Sequence, residues 1–285
     1  MAPFEHMAMN NALAVPVLMY HHVSPAPGLV TMTSENFRAQ MRHLATRGWH
    51  TIGLDALARF LAGEALPERS VVITFDDGYL DNWVHAHPVM AEYGLRGVIF
   101  IITGRIGEGP ARQHASPGKV GAGDTAPTPS HRDCVQAMQE GRCDDVMLRW
   151  SEVEAMRAAG SFEFHSHTHT HARWDRIEPD AATRAQRLAE DLEYSRATLR
   201  ERLGDASSHL CWPQGYYDDA YRAVARRIGF THLYTVRRGA CLPATPQEEI
   251  PRIVVKDMPA AWLSRRLTIY RRPWLSNLYT RLHPD

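Results

Sequence analysis

Short apolar segments alternate along this chain with longer segments of helical periodicity, and this alternation constrains the fold most. The apolar segments are brief and hydrophobic on both faces, which is typical of parallel strands buried beneath helices. About seven strands in one unbroken stretch favour a barrel over an open sheet. We therefore predict an α/β fold, a single-domain, distorted (β/α)7-type TIM-like barrel. The predicted strands cover 15–20, 70–75, 97–103, 162–165, 209–212 and 232–236, and the predicted helices cover 34–47, 79–93, 151–159 (with Ser151 as N-cap), 179–203 and 218–228.

One segment, residues 104–147, interrupts this alternation. Between Gly104 and His131 there are six Gly and four Pro in 28 residues, so we expect a long loop. The loop follows the C-terminal end of a strand, which in a barrel is the active-site face. It would act there either as a lid over the substrate or as a tolerated surface insertion. The expected organisation is a tail over 1–14, a barrel over 15–257 with the insertion 104–147, and a C-terminal segment over 258–285.

Charge and composition narrow the function. Lys plus Arg (32) equal Asp plus Glu (32), which argues against a nucleic-acid binder, because such a protein needs a basic face. The first residues lack a cationic start and an apolar core, so they make a poor secretory signal. We expect a cytoplasmic protein that could also contact the inner face of the membrane peripherally. An exported form is the alternative.

The C-terminal segment is basic and aromatic. From Trp262 to Leu282 it carries five Arg and no acidic residue, with Trp and Tyr interleaved among Leu and Ile. Such a composition is typical of an interfacial membrane anchor. A terminal helix that packs its Leu and Trp on the barrel is the alternative, and Pro273 divides the segment into two pieces.

Two adjacent carboxylates follow the apolar segment 71–73, in the motif Thr74-Phe75-Asp76-Asp77-Gly78. Neighbouring carboxylates repel one another unless a cation or a proton offsets their charge. On a continuing strand the two side chains would point to opposite faces, and Gly78 could supply the backbone that turns both toward one site. The motif therefore indicates a site for a cation or for proton transfer, with an ordinary Asp-Asp-Gly turn as the alternative.

Four histidines alternate in the segment Glu163-Phe164-His165-Ser166-His167-Thr168-His169-Thr170-His171. Neutral imidazoles are good ligands for zinc and related metals. His167 and His171 are four residues apart, so they can meet one ion if the segment curls into a helical turn. An exposed His-rich loop is the alternative.

These motifs resemble those of polysaccharide deacetylases of the NodB-homology type (carbohydrate esterase family 4). Thr74–Gly78 matches that family's T-F-D-D-G motif, and His167–His171 matches H-[ST]-x-x-H. His165–His169 fits the second pattern too, but the lead-in from Glu163 favours the first register. Trp212-Pro213-Gln214-Gly215 is similar to the third motif, an aromatic residue followed by P-x-G. The resemblance covers roughly residues 15–255.

The resemblance implies roles for these residues. Asp77, His167 and His171 would hold a divalent metal, with Zn²⁺ expected first and Co²⁺, Ni²⁺ or Fe²⁺ as alternatives. The ion would activate water, and Asp76 would be the general base that removes its proton during attack on an acetamide. The backbone N–H of Gln214 would stabilise the oxyanion. The other implied substrate contacts are Trp212, Pro213, Gly215 and Tyr79.

Two positions depart from the family's pattern. Many relatives have an Arg two residues before the third-motif Pro, where this chain has Cys211, so another group must orient Asp76. The late L-x-x-H motif, which supplies the general acid, is absent. The segment Val17–Val23, however, is similar to the opening strand of the branch that deacetylates poly-N-acetylglucosamine. That similarity implies His21 as the acid, with His22 and His232 as alternatives.

The expected function is that of a metal-dependent N-deacetylase, a hydrolase of a non-peptide carbon–nitrogen bond in an N-acetylated amino sugar. The absent signal and the basic C-terminal segment favour a lipid-linked sugar used in envelope or lipopolysaccharide modification. A polymer such as poly-N-acetylglucosamine or peptidoglycan is the alternative. A non-catalytic glycan-binding module and a hydrolase of another amide or a formamide are the remaining hypotheses.

Overall fold

The computed structural model describes residues 11–26, 28–115 and 125–283, so most of the expected N-terminal tail (1–14) lies outside the described residues. The strands are β1 Val17–Tyr20, β2 His22–Val23, β3 Thr31–Met32, β4 His50–Thr51, β5 Ser70–Asp77, β6 Gly97–Ile101, β7 Phe162–Ser166, β8 His209–Cys211, β9 His232–Tyr234 and β10 Ile253–Val254. The helices are α1 Ser34–Thr46, α2 Leu54–Leu61, α3 His87–Glu92, α4 His131–Gln139, α5 Trp150–Ala158, α6 Trp174–Ile177, α7 Ala181–Leu203, α8 Asp219–Ile228, α9 Ala260–Tyr270 and α10 Pro273–Leu282. Short helical turns cover Asn82–Ala86, Thr103–Arg105, Cys143–Asp145 and Pro213–Gly215.

The central sheet is parallel and curls into a barrel. Its strands follow the order β10-β1-β5-β6-β7-β8-β9, and β4 pairs with the start of β5. The two edges are joined through the stretch that leads into β10: Ile250 N–H donates to Leu233 O at 2.9 Å, and Thr235 N–H donates to Ile250 O at 3.0 Å. The predicted α/β barrel is therefore confirmed.

Strand β5 shows why both faces of the sheet are apolar. Its residues Val71, Ile73 and Phe75 pack into the layer between sheet and helices, whereas Val72 packs in the barrel interior. Alternate side chains of a strand point to opposite faces, so a strand with cores on both sides needs a continuous apolar run. The same alternation places Asp76, four residues after Val72, on the interior side.

Two of the predicted helices differ from the structure in their N-cap or in their helix type. Helix α5 has Arg149 rather than Ser151 as its N-cap, because the carboxylate of Glu152 accepts from the Arg149 backbone N–H at 2.9 Å. The expected helix over 79–93 is the π-helical turn Asn82–Ala86 followed by α3. Such π turns often occur at functional sites. Here the turn places the Asn82 side chain 2.8 Å from the His21 carbonyl.

The insertion 104–147 is more structured than a long loop. Its described part includes α4, and Arg112 anchors it by donating from Nε and Nη2 to the two oxygens of Glu152, both at 2.8 Å. Glu152 is fully buried, and this pairing satisfies its charge. The insertion is thus fixed against α5 on the side of the barrel where the predicted site lies.

The C-terminal segment divides at Pro273, as its sequence indicates. Helix α9 buries Leu263, Leu267 and Tyr270 in the core it shares with α1, which agrees with the packing alternative. Helix α10 leaves Trp274 66% exposed and Leu282 67% exposed. None of the described helices combines the length and the apolarity that crossing a bilayer requires.

Candidate active site

The carboxyl ends of β1, β5, β7 and β8 meet at one end of the barrel around a cavity of about 460 Å³. Parallel strands bring their C-terminal ends to the same face, which is where barrel enzymes carry their sites. Of the residues predicted from the sequence, the cavity is lined by His21, Asp76, Asp77, Tyr79, His167, His171, Trp212, Gln214 and Gly215. Pro213 is buried in the turn between Trp212 and Gln214.

The two adjacent aspartates face one cavity because the backbone turns at Asp77. Both belong to β5, and Asp77 has φ 75°, followed by Gly78 at φ 85°. The left-handed conformation is unfavourable for Asp, and strain of this kind concentrates at functional sites. Without it the side chain of Asp77 would point away from that of Asp76. A side chain at residue 78 would also meet Ile101, whose Cγ2 lies 2.9 Å from the position of a Cβ.

The histidine segment curls after β7. Thr168 (φ 64°) and His171 (φ 63°) both have left-handed backbones, which bring His167 and His171 back toward each other. Their ring centroids lie 4.9 Å apart. The other two histidines of the motif point elsewhere. His165 Nδ1 lies 2.7 Å from Ser207 Oγ, and His169 Nδ1 lies 3.0 Å from Thr103 Oγ1. The register His167–His171 is the one that the structure brings to Asp77.

Asp77, His167 and His171 form a donor set that fits a divalent metal. Asp77 Oδ1 lies 3.5 Å from the Nε2 atoms of both histidines. Ligands about 2.0–2.2 Å from one ion must lie roughly this far from one another. His167 Nδ1 donates to Cys211 O at 2.8 Å, which leaves its Nε2 unprotonated and directed at the site, as ligand histidines usually are. These three residues would hold the ion.

A second grouping, Asp76, His167 and Cys211, also has its donor atoms within 4.8 Å of one another. It does not fit a metal. Cys211 Sγ contacts the guanidinium of Arg252 at 3.0 Å, and this cation occupies the space beside the sulfur. Both carboxylate oxygens of Asp76 also accept from Arg252.

Arg252 orients Asp76 and is the site residue that the sequence motifs missed. It lies just before β10, is fully buried, and donates from Nη1 to Asp76 Oδ1 at 2.7 Å and from Nη2 to Asp76 Oδ2 at 2.8 Å. Nη2 also lies 3.0 Å from Cys211 Sγ, beside the position where many relatives carry an Arg. The sequence signal was weak, because the apolar run 253–255 has a cation on each side, Arg252 and Lys256.

This ion pair decides the protonation of Asp76. Burial would raise the pKa of the carboxyl, but the charge and hydrogen bonds of Arg252, with smaller effects of His167 and His21, hold the pKa well below its usual range. Asp76 is therefore an ionised, fixed acceptor at neutral pH. Asp77 likewise keeps a lowered pKa: burial opposes this, and His171 and His167 outweigh the burial.

His21 lies where the predicted acid is needed. Its Nε2 is 3.9 Å from Asp76 Oδ2, and the ring lines the cavity. Burial lowers the pKa of His21, and the nearby charges of Asp76 and Asp77 offset part of this effect. Its place at the cavity beside Asp76 is that of a group which could protonate the leaving amine.

The alternative acids lie elsewhere. His22 is buried, with Nδ1 2.6 Å from Asp81 Oδ2 and Nε2 3.1 Å from Nδ1 of His131 in the insertion. Both of its ring nitrogens are engaged. His232 begins β9, at the opposite end of the barrel from the cavity. Its position excludes it, because a strand's first residue faces away from the carboxyl-end site.

The third-motif turn closes one side of the cavity. Gln214 has a left-handed backbone (φ 55°), and its side chain accepts from Arg173 Nη1 at 3.0 Å. Gly215 cannot carry a side chain there, because a Cβ would lie 2.4 Å from Val236 Cγ2. Trp212 is buried, and its indole Nε1 has no hydrogen-bond partner among the residues that the structure describes.

Comparison with known proteins agrees with this arrangement. The sequence profile of the polysaccharide deacetylases matches residues 63–233. YxkH of Bacillus subtilis (strain 168), provisionally named a polysaccharide deacetylase, is 38% identical over 94 residues, which are 33% of this chain and 33% of YxkH. The chain thus matches about a third of that relative's length.

Two further similarities extend over most of the chain. The poly-beta-1,6-N-acetyl-D-glucosamine N-deacetylase of Staphylococcus aureus (strain MSSA476) is 21% identical over 265 residues, covering 87% of this chain and 80% of that protein. Among solved structures, the Streptococcus pyogenes deacetylase PplD in complex with acetate has a TM-score of 0.70 and 19% identity, covering 90% of this chain and 99% of PplD. Because the profile match includes more than half of the sequence, this chain belongs to the polysaccharide deacetylase family.

Proposed function

We propose that this protein is a metal-dependent N-deacetylase of an N-acetylated amino sugar in a cell-envelope glycan or a lipid-linked sugar. One observation carries the proposal: a three-donor metal set, a separately fixed carboxylate and an imidazole surround one cavity of sugar size. The metal, with Zn²⁺ as the expected ion, would act as a Lewis acid toward the acetamide and its attacking water when bound.

The protein's own residues divide the proton transfers. Asp76, held by Arg252, accepts the proton of the attacking water. His21, 3.9 Å from Asp76, donates a proton to the departing amine. The turn at Gln214 presents backbone N–H to the developing oxyanion, and Tyr79, Trp212, Pro213 and Gly215 shape the sugar's binding site.

The two candidate substrate classes are a glycan polymer and a lipid-linked sugar. The S. aureus relative is named as a poly-N-acetylglucosamine deacetylase, which supports a polymer. The apolar rim of the cavity, with Leu29 75% exposed and Val236 38% exposed, supports a sugar that carries a hydrophobic group. We favour the lipid-linked sugar and keep the polymer as the alternative.

Replacing the base tests the enzymatic proposal against a glycan-binding module. In Asp76→Asn the ion pair with Arg252 is lost and no carboxylate remains to take the proton, so acetate release should fall by about 10²–10⁴ while glycan binding persists. Acetate release from N-acetylglucosamine oligomers and from lipid-linked N-acetylglucosamine is measured by an enzyme-coupled assay. A metal-loaded wild-type protein that releases acetate from neither would contradict the proposal.

Metal content tests the ligand set separately. His171→Ala should lower bound metal well below that of the wild type, as measured by elemental analysis after dialysis. His169→Ala is the matched control, because His169 belongs to the same segment but contacts Thr103 rather than Asp77. Equal metal content in the two variants would rule out the assignment.

We also propose that helix α10 brings the protein to an anionic membrane surface. Trp274, Leu278 and Leu282 are spaced four apart, so they form one stripe, and all three are exposed (66%, 49% and 67%). Residues 258–283 contain five Arg and no Asp or Glu. Arg271 is paired with Glu68 at 3.0 Å, so the other Arg of the segment supply the attraction. An apolar stripe beside this positive charge is complementary to anionic lipid, which is enriched in the cytoplasmic leaflet.

Sedimentation with vesicles tests this surface. Wild type should bind vesicles of phosphatidylcholine with about 30% phosphatidylglycerol more strongly than vesicles of phosphatidylcholine alone, because anionic lipid attracts basic segments. Trp274→Gln with Leu278→Gln should lose most of this binding. Ile177→Gln is the control, since Ile177 is equally exposed (61%) on α6. If the double variant still binds the vesicles, α10 is not the binding surface. If instead wild type is a dimer and the double variant is a monomer, the stripe contacts a second copy of the chain.

A further inference from the structure

One cation in the active-site cavity has no role in the chemistry described so far. Arg105 ends the turn Thr103–Arg105 that follows β6, and its side chain lines the cavity together with Asp77 and His171. Its guanidinium contacts Met138 Sδ (3.2 Å from Nη1) and Thr170 O (3.3 Å from Nη2). In the part of the chain that the structure describes, no carboxylate lies within ion-pair distance of it.

This lack of an acidic partner sets Arg105 apart from its neighbours. Arg252 is paired with Asp76, and Arg173, next to the third-motif turn, is paired with Asp175 at 2.7 Å. A guanidinium that is partly withdrawn from water without a counter-ion is unfavourable unless a ligand supplies the negative charge. Arg105 contacts a thioether, which is a weak acceptor, and one backbone carbonyl, so within the part of the chain that the structure describes most of its five N–H donors are available to a ligand.

The charge balance of the cavity points to the same ligand. The charge of Asp76 is cancelled by Arg252, and a divalent ion would more than cancel that of Asp77. With Arg105 included, the loaded cavity would carry net positive charge. Such a site attracts an anionic substrate and repels a polymer that gains ammonium groups as it is deacetylated.

We propose that Arg105 binds a phosphate group on the substrate, so that the preferred substrate is an N-acetylated amino sugar phosphate. A guanidinium binds phosphate bidentately, and this geometry would fix the sugar relative to the metal ligands. The inference rests on the proposed deacetylase function. The phosphate belongs either to a free sugar phosphate or to a sugar joined to a lipid through a phosphodiester, and the apolar side chains Val135 and Met138 beside Arg105 would suit the second.

The test compares charged and neutral substrates. N-acetylglucosamine 1-phosphate and its farnesyl phosphodiester are compared with methyl N-acetylglucosaminide in wild type, Arg105→Gln and Arg105→Lys. Wild type should prefer the phosphorylated sugars in kcat/KM by about tenfold to a hundredfold, the usual worth of a charge-assisted pair. Arg105→Gln should abolish the preference, and Arg105→Lys should keep part of it. A higher value for the farnesyl diester than for the free phosphate identifies the lipid-linked source.

A binding measurement separates this inference from the proposed function. Titration calorimetry of His21→Ala protein, which keeps the Asp76–Arg252 ion pair, with N-acetylglucosamine 1-phosphate reports binding with little turnover, and affinity should fall as salt is raised because an ion pair is screened. Adding Arg105→Gln should weaken the binding and remove most of the salt dependence, whereas Arg157→Gln, an exposed change on α5, should not. A preference that survives in Arg105→Gln overturns the inference even if acetate is released. Phosphate-dependent binding without acetate release from any substrate overturns the proposed function alone.

Discussion

At the scale of single residues, two neighbouring aspartates have different environments. Asp76 is locked to a guanidinium, and Asp77 faces two imidazoles. The cause is the left-handed φ of Asp77, which redirects one side chain and leaves the other on the barrel interior. Sequence adjacency therefore does not imply a shared role, and the same two residues can supply a base and a metal ligand.

Arg252 is expected to control both the charge and the position of the base. Arg252→Met should reduce kcat/KM by at least about 100-fold, the scale of a misplaced general base. It should also raise the pKa of Asp76, so the acid limb of the pH–rate profile moves to higher pH. The unpaired buried carboxylate should destabilise the fold by about 3–5 kcal/mol in urea unfolding.

A rescue variant provides the control for Arg252. Cys211 Sγ lies 3.0 Å from Arg252 Nη2, so an Arg at position 211 would bring its guanidinium to the same region. Cys211→Arg combined with Arg252→Ala should recover part of the activity and restore the wild-type acid limb. Failure to recover either one would show that Arg252 acts through something other than Asp76.

His21 is expected to act in proton transfer without holding the metal. His21→Ala should slow turnover by about 10²–10⁴, whereas bound metal stays at the wild-type level. An amide substrate with a better leaving group should lose less rate, because it needs less protonation. Metal loss in His21→Ala, measured by elemental analysis, would instead assign it to the ligand set.

At the scale of elements, the histidine segment 167–171 is held by a helix that begins well after it. Asp191 on α7 accepts from the backbone N–H groups of His169 (3.0 Å) and Thr170 (2.8 Å), and from Thr170 Oγ1 (3.0 Å). Gly104, after β6, donates to His169 O at 2.9 Å. The positive φ values of the segment are thus maintained by partners on two other elements.

Asp191 should therefore influence metal affinity without touching the metal. Asp191→Asn should lower the affinity about 10-fold to 100-fold, the range found for residues that orient ligands. Affinity is measured by competition with a chelator, and circular dichroism checks that the variant is folded. Glu193→Gln, an exposed change on the same helix, should have no effect. Equal affinities in the two variants would contradict this role.

At the scale of the whole molecule, the barrel has titratable groups at both ends. The end opposite the site holds His209, whose Nδ1 lies 3.2 Å from Tyr234 Oη and whose Nε2 lies 3.4 Å from Asp55 Oδ1. The rings of His165 and His232 lie 4.9 Å and 4.8 Å from it. Burial lowers the pKa of His209 to about 4, so the His209 imidazole is neutral at physiological pH.

Acid should therefore weaken the fold through His209. Because its pKa is lower in the folded state than the ~6.5 of an unfolded chain, the unfolded state binds more protons as pH falls below that value. This group's contribution is fully present above pH ~6.5 and should fall by roughly 2–3 kcal/mol at pH ~4.5. Urea unfolding at both pH values should show a smaller difference in His209→Gln. His50→Gln, at an exposed position, should behave like wild type.

The barrel and the three candidate metal ligands could be predicted from the sequence. Alternating apolar and helical patterns follow from local backbone geometry, and motifs such as Thr74–Gly78 and His167–His171 keep their residues close along the chain. The structure differs from the predicted loop over 104–147 and from the predicted N-cap Ser151, because caps and insertions depend on contacts such as that of Arg112 with Glu152.

The groups that complete the site from distant parts of the sequence are identified by the three-dimensional structure. Arg252 meets Asp76 across 176 residues of sequence, and Arg105 enters the cavity from a turn that no motif marks. Barrel closure brings β10 beside β1, and no local pattern encodes which side chain then fills the space next to Cys211. The sequence states which side chains carry charge, but which of these charges pair depends on how the folded strands bring them together.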